Sequence, residues 1–366
     1  MNIYEIFAVA PPGLEHFLLQ EVREKAFDGV TSSPGGVTFK GDWSEVWRAN
    51  LELRGASRIL VRIGAFMAFH LAQLDKRATK FPWNETLPNG AALRVEVTSQ
   101  KSKIYHAGAA RERIERALET NGYQVGESAP ISLKVRIDDN KVTLSLDSSG
   151  EGLHKRGHKQ AIGKAPMRET LAALFLSQAG FSGSEPLLDP MCGSGTFPIE
   201  ATEIALGAQA GRGRDFAFQH FKGYNQQAFD AMRRPLQKPQ SPYIFQGSDR
   251  DAGVIAQAQA NAARAGVAPI CRFSVRPVSE LTRPDGPPGL VMVNPPYGTR
   301  IGNKKLLYAL HNTLGQVLQE QFRGWRVGII TSETALAKTT DLPFKKPSAP
   351  VPHGGLKVRL FQTGPL

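Results

Sequence analysis

Asn294-Pro295-Pro296-Tyr297 follow a short apolar run, Leu290-Val291-Met292-Val293. An apolar run ending in Asn and two prolines reads as a buried strand that stops abruptly. Each proline fixes φ and removes a backbone donor, so the carbonyls are held in place and the chain cannot pair onward. This suits a site that grips a planar exocyclic amine. Such an amine is a poor nucleophile because its lone pair is delocalised into the ring of the base. The Asn294 side-chain oxygen and the rigid Pro295 carbonyl can each accept one N–H, and the Tyr297 ring can stack on the base. A strand-end turn with incidental prolines is the plain alternative, and the tetrapeptide alone does not exclude it.

A second motif weighs against that alternative. Pro186-Leu187-Leu188-Asp189-Pro190-Met191-Cys192-Gly193-Ser194-Gly195-Thr196-Phe197 reads as strand, acidic turn, Gly-rich loop and helix start. Gly193 and Gly195 would let the backbone approach a ligand closely, and the helix would open over it with free N–H groups. No Lys-Ser/Thr of a P-loop follows, and Pro198 takes the third glycine position of G-x-G-x-x-G. A neutral or carboxylate-bearing ligand therefore fits better than a pyrophosphate, with Asp189 facing an amino or cationic group. S-adenosylmethionine carries an ammonium, a sulfonium, a carboxylate and a ribose, and meets these requirements. Tyr243–Asp249 reads as the next strand, before a helical stretch from Ala252 to Ala265. An acid at Asp249, one βα unit after the loop, is placed to accept ribose hydroxyls; helix capping is the other account of it.

At this point residues 186–330 resemble the class I S-adenosylmethionine-dependent methyltransferases that modify amino groups. The whole chain resembles the THUMP-domain RNA methyltransferases, nearest to the bacterial enzymes that methylate guanine N2 in 23S ribosomal RNA. The stretches that carry this are Phe7–Glu15, Gly35–Phe39, Asn50–Arg54 with Ala56–Arg58, Leu144–Gly150 running into Leu153–Gly157, and Gly324–Ser332. The resemblance implies an α/β chain: a C-terminal Rossmann-like, doubly wound, mostly parallel sheet, and an N-terminal α+β region. It implies Asn294, Pro295, Pro296 and Tyr297 as catalytic residues. It puts Asp189, Pro190, Cys192, Gly193, Ser194, Gly195, Thr196, Asp249 and Arg250 around the cofactor. RNA is the implied partner. One departure stands out: the strand near Phe273-Ser274-Val275 usually ends in an Asp that contacts the cofactor adenine, and here Arg276, Pro277 or Val278 takes that place.

The elements that must position these residues divide the chain as follows. Alternation and helical spacing predict a ferredoxin-like unit over 1–65. A small α/β unit, identified by the resemblance as THUMP, is placed at 66–150. A basic linker covers 151–168 and the catalytic domain 169–366. Leu342–Pro352 reads as a loop before a last strand, Leu356-Val358-Leu360. The net charge is +12, which favours a polyanionic partner. Residues 1–160 hold 22 basic and 19 acidic side chains, and 161–366 hold 23 and 14, so the catalytic half carries most of the excess. Lys155, Arg156 and Lys159 in the linker, Lys101 and Lys103 upstream, and Arg300 after the tetrapeptide are the candidate RNA contacts. A solvated linker and i,i+4 ion pairs are the competing accounts.

The two cysteines, Cys192 and Cys271, give neither a disulfide framework nor a zinc spacing, and no metal is expected. The start lacks a signal peptide and no run reaches membrane-spanning length, so a cytoplasmic location is the expectation. His154, His158 and His220 pair with no nucleophile and read as structural or surface residues. The chain ends without the second methyltransferase domain that some relatives carry, so one activity is expected. Transfer RNA guanine N2, adenine N6 in DNA or RNA, and a catalytically inactive assembly factor remain alternatives.

Overall fold

A computed structural model of the protein describes residues 2–160, 167–236, 240–297 and 304–366. The first part of the chain forms β1 (Tyr4–Val9), α1 (Glu15–Glu24), β2 (Asp28–Ser33), β3 (Gly36–Gly41), α2 (Trp43–Glu52), β4 (Ile59–Met67), α3 (Leu71–Thr79), β5 (Ala92–Gln100), α4 (Ala107–Thr120), β6 (Gln124–Val125), β7 (Ile131–Asp138) and β8 (Lys141–Asp147). The remainder forms α5 (Glu169–Gln178), β9 (Leu187–Asp189), α6 (Thr196–Ala205), α7 (Gln226–Met232), β10 (Phe245–Asp249), α8 (Ala252–Ala265), β11 (Cys271–Val275), β12 (Leu290–Val293), α9 (Lys304–Gln321), β13 (Arg326–Thr331), α10 (Thr334–Thr339), β14 (Val351–His353) and β15 (Leu356–Gln362). Two compact units result. One holds Met1–Ala10, Leu19–Leu153 and Arg214–Arg233; the other holds Pro11–Leu18, His154–Gly213 and Arg234–Leu366.

The first unit is built on one eight-stranded sheet, β2-β3-β1-β4-β8-β7-β5-β6. β5 runs parallel to β7 and to β6, and the other neighbours are antiparallel. Period-two alternation explains the strands: Leu133, Val135 and Ile137 of β7 and Val142, Leu144 and Leu146 of β8 all point into the core. α4 buries Ala110, Ile114, Ala117 and Leu118, one stripe at helical spacing. Asn50 is buried on α2 and donates to the Val46 carbonyl (2.9 Å) and the Ser148 hydroxyl (2.8 Å), while Ser149 Oγ donates back to Asn50 Oδ1 (2.7 Å). This closed network gives the Asp147-Ser148-Ser149-Gly150 stretch a structural task, since buried polar groups must be paired.

Arg214–Arg233, which sequence reading assigns to the catalytic domain, belongs to this first unit. Phe216 stacks on Phe218 (centroids 5.1 Å apart) and Phe218 meets Phe229 edge-on at 5.1 Å, with Trp47 of α2 against them. Arg214 donates to the carbonyls of Ser149 (3.0 Å), Glu151 (2.8 Å) and Gly152 (2.8 Å). The boundary expected between 65 and 66 falls inside β4, because β4 pairs with β1 on one side and β8 on the other. The two expected N-terminal domains therefore share one sheet.

The second unit carries a seven-stranded sheet, β11-β10-β9-β12-β13-β15-β14. Its first five strands are parallel, and β15 follows antiparallel to β13. β12 is buried at every residue, as a continuous apolar run in a covered parallel sheet should be. Val351–His353 adds a short strand hairpinned onto β15 where a loop was expected.

Candidate active site at the switch point of the parallel sheet

β9 lies between β10 and β12. From β9 the chain moves outward to β10 and β11, then returns to the other side of β9 as β12. That reversal makes a crevice at the carboxyl ends of the strands, where ligands of such sheets bind. The three strand ends there carry Asp189, Asp249 and Asn294. Register places Asp189 beside Gly247 of β10.

Asp189 is 2% exposed. Its Oδ1 accepts the Met191 N–H at 3.1 Å. Burial pushes its carboxyl well above the usual carboxylate range; the Met191 bond opposes this and the nearby Asp249 charge adds to it. An ammonium or amino group arriving there would supply the missing partner. Asp249 accepts the Gly193 N–H through Oδ2 (3.2 Å) and the Asp251 N–H through Oδ1 (3.1 Å). The cap of α8 is Asp251, which accepts from Gly253 (2.7 Å) and Val254 (3.3 Å). Capping therefore falls to the neighbour, and Asp249 ties β10 to the Gly-rich loop. Arg250 beside it is exposed, and Pro190 is buried.

The two loop glycines differ in their task. Gly193 has φ +50 and a Cβ there would meet nothing within 4 Å; Gly195 has φ +85 and a Cβ would lie 2.8 Å from the Phe273 ring. Gly193 thus faces open space, whereas Gly195 is required by its left-handed backbone and by Phe273. The loop is fastened from behind. Asn261, buried on α8, donates to the Ser194 carbonyl at 3.0 Å. Arg264 donates to Asn261 Oδ1 and to the His158 carbonyl. Lys159 Nζ donates to Thr196 Oγ1 (2.9 Å) and pairs with Glu169 (3.1 Å). Arg156 is buried against Glu200 at 3.2 Å.

Arg156 and Lys159 therefore correct the expectation of RNA contacts at these positions: both point inward to carboxylates, because buried Glu200 and Glu169 need cations. Lys155 is exposed, as are Lys101 and Lys103 in the loop after β5. The sequence signal for Asn261 is a lone amide on the otherwise largely Ala-lined buried face of α8.

Asn294 Oδ1 and Ser248 Oγ are buried and have no hydrogen-bond partner among the described residues. An unpaired buried polar group costs about 1–3 kcal/mol, and two of them on the strands that flank β9 mark a place for ligand donors. Pro295 is buried, and Pro296 and Tyr297 are half-buried. Gly298 and Arg300 lie outside the described residues. Burial, then the charges of Asp189 and Asp249, push the Cys192 thiol well above its ordinary range, which leaves it a poor nucleophile. Burial lowers His154 from 6.5 to about 4, so it is neutral near pH 7. β11 ends at Val275, and Arg276 beyond it donates to Thr282 Oγ1 at 2.7 Å, so no acid closes that strand. Among the described residues no group of three or more His, Cys, Asp or Glu could hold a metal ion, and no helix is long and apolar enough to cross a membrane.

A parallel sheet with a Gly-rich loop and acids at its switch point, next to an Asn-Pro-Pro-Tyr strand end, defines a class I methyltransferase. The chain belongs to the family described as RMKL-like, methyltransferase domain, which matches residues 156–356. The RlmL ferredoxin-like domain matches residues 5–60. A ribosomal RNA large subunit methyltransferase K/L of Marinobacter nauticus is 31% identical over 363 residues, covering 93% of this chain and 50% of the relative. The chain thus spans about half the length of that curated relative. The crystal structure of a protein from Listeria monocytogenes, described as a predicted N6-adenine-specific DNA methylase, is 29% identical with a TM-score of 0.87, covering 100% of this chain and 97% of that one. SMU.472, a candidate methyltransferase crystallised with SAH, is 26% identical with a TM-score of 0.87 and coverage of 100% and 99%.

Proposed function

We propose that the protein transfers a methyl group from S-adenosylmethionine to the exocyclic N2 amine of a guanine in 23S ribosomal RNA, in the cytoplasm. The observation that carries this is the buried Asn294 Oδ1 at the end of β12, which has no hydrogen-bond partner among the described residues. The large-subunit ribosomal RNA named in the Marinobacter relative and the net charge of +12 favour RNA as the polyanion.

The residues present fit the cofactor. Among the described residues no cation faces Asp189 and Ser248 Oγ has no hydrogen-bond partner, and Gly193 opens onto free space. Asp189, Gly193 and Asp249 would hold it, with Cys192, Ser194 and Thr196 shaping the loop. Bound there, S-adenosylmethionine supplies an electrophilic methyl group on its sulfonium. The chain contributes position. Asn294 Oδ1 and the Pro295 carbonyl accept the two amine hydrogens of a base flipped out of its stack and turn its lone pair toward the methyl. Tyr297 stacks on the base. Fixed prolines set this geometry before the base arrives, so orientation provides most of the rate. A methylated amine cation is acidic and gives its proton to solvent, so no side-chain base is required. The THUMP-type region and the exposed Lys101, Lys103 and Lys155 would meet the RNA.

Mass-spectrometric mapping of ribosomal RNA from a strain lacking the gene tests this. One N2-methylguanosine should be absent and should return on complementation. An intact N2-methylguanosine set with a missing N6-methyladenosine would move the substrate to the adenine amine named for the Listeria structure.

A further inference from the structure

We propose that the first unit holds a single-stranded RNA segment, one unpaired base stacking on a platform of Phe69 and Tyr105 while the adjoining phosphates follow a basic groove between α3 and α4. This rests on the RNA reading above and names where and how that RNA is held.

The platform lies where the two helices start. Tyr105 is 77% exposed and Phe69 42% exposed, which is unusual for rings that could have been buried. Tyr105 and His106 have ring centroids 5.0 Å apart, and Lys103 Nζ lies 5.7 Å from the centre of the Phe69 ring. Exposed aromatic rings next to a cation are what a base and its phosphate need, since every base has a π-face. The loop that presents them is fixed in advance. Its backbone at Lys103 donates to Asn140 Oδ1 (2.9 Å), and the Asn140 N–H donates to Ser102 Oγ (2.9 Å). Asp139 and Asn140 both have positive φ, the conformation of a tight hairpin turn between β7 and β8. Ile104 is buried beneath the loop. A platform ordered before binding loses less entropy on binding.

The groove continues from the platform. Asp75 of α3 lies 3.5 Å from Arg113 and 3.8 Å from Arg116 of α4. Four residues further along α3, the Thr79 carbonyl accepts from Asn121 Nδ2 at 3.0 Å. The two helices thus run side by side in the same direction, with Phe69 and Tyr105 just before their starts. Between them lies a groove of about 450 Å³. Lys76, Lys80, Arg113 and Arg116 line it, with Asp75 as its one acid. Lys76 and Lys80 are one helical turn apart and exposed. Such a cationic trough beside stacking rings fits a flexible polyanion with bare bases better than a protein partner or a blunt duplex.

The test compares the full chain with Tyr105→Ala, Tyr105→Phe and the double variant Lys76→Gln/Lys80→Gln. Binding is measured to a single-stranded RNA and to a blunt duplex across a salt series. Thermal melting confirms folding, because all three positions are exposed. Tyr105→Ala should weaken single-strand binding about tenfold and leave duplex binding unchanged, with Tyr105→Phe near wild type. The Lys pair should lower the salt slope by about one to two. Wild-type binding matched by every variant would overturn the surface and leave the RNA reading standing. A wild-type chain that binds neither RNA would overturn both.

Discussion

On the proposed reading, Asn294 would set the chemistry without being reactive. Its oxygen is acceptor-only, neutral at every working pH, and without a hydrogen-bond partner among the described residues at the end of a buried strand. Removing it takes away an orienting contact while the sheet beneath stays intact. Asn294→Ala should lower methyl transfer about a hundredfold or more, a magnitude typical of losing one preorganised polar contact to a reacting group. Cofactor affinity, read by calorimetry with S-adenosylmethionine, should stay within a factor of two or three. Normal turnover would remove Asn294 from the site. At this scale the sequence was highly legible. Asn-Pro-Pro-Tyr and the Gly-rich loop are local in the chain, so residue type alone singles them out as candidates. Gly195 was harder, because its reason is Phe273, a residue 78 positions away whose ring fills the space a Cβ would take.

The elements carry a different lesson, drawn from the segment 154–160. Its charge suggested phosphate contacts, yet Arg156 and Lys159 turn inward to Glu200 and Glu169. A count of charges along a chain cannot distinguish a solvated cation from one whose counterion lies 44 residues downstream. Arg156→Ala would take the guanidinium away from buried Glu200, and breaking a buried ion pair on one side costs about 3–5 kcal/mol. Urea unfolding should register that loss, and the salt slope of RNA binding should not change. A slope reduced by about one with stability unchanged would restore the phosphate contact. The same segment backs the cofactor loop through Lys159 at Thr196 and through Arg264 at the His158 carbonyl. Strands and helices with strong periodicity, such as β7, β8 and α4, fell where alternation and helical spacing placed them, because one buried face dictates each. The end of the third strand without an acid was equally readable, since it is a statement about residue type.

The whole molecule departs furthest from its sequence. Two N-terminal domains were expected, and one eight-stranded sheet spans both. Nothing local in β4 reveals that each of its edges pairs with a different half. Nor does the stretch Arg214–Arg233 announce that it completes the first unit; its Phe216, Phe218 and Phe229 read equally well as core of the catalytic domain. The consequence can be measured. A chain lacking residues 1–150 should aggregate and bind a hydrophobic dye, because those rings lose Trp47 and their other cover. Replacing Arg214–Arg233 by a short Gly-Ser link should largely restore solubility to that truncated chain, and unaltered aggregation after the replacement would sink the explanation. The aromatic cluster also sets an order of events at the ribosome. The first unit has most of its sheet once Leu153 has emerged, but its last piece arrives with Arg233, 80 residues later. At about 5–20 residues per second that is a delay of roughly 4–16 s, during which Trp47 waits uncovered while the cofactor loop is already being made. The interleaving therefore makes the fold a poor candidate for cassette exchange: a recombination break anywhere between 153 and 233 would separate the first unit from part of its own core.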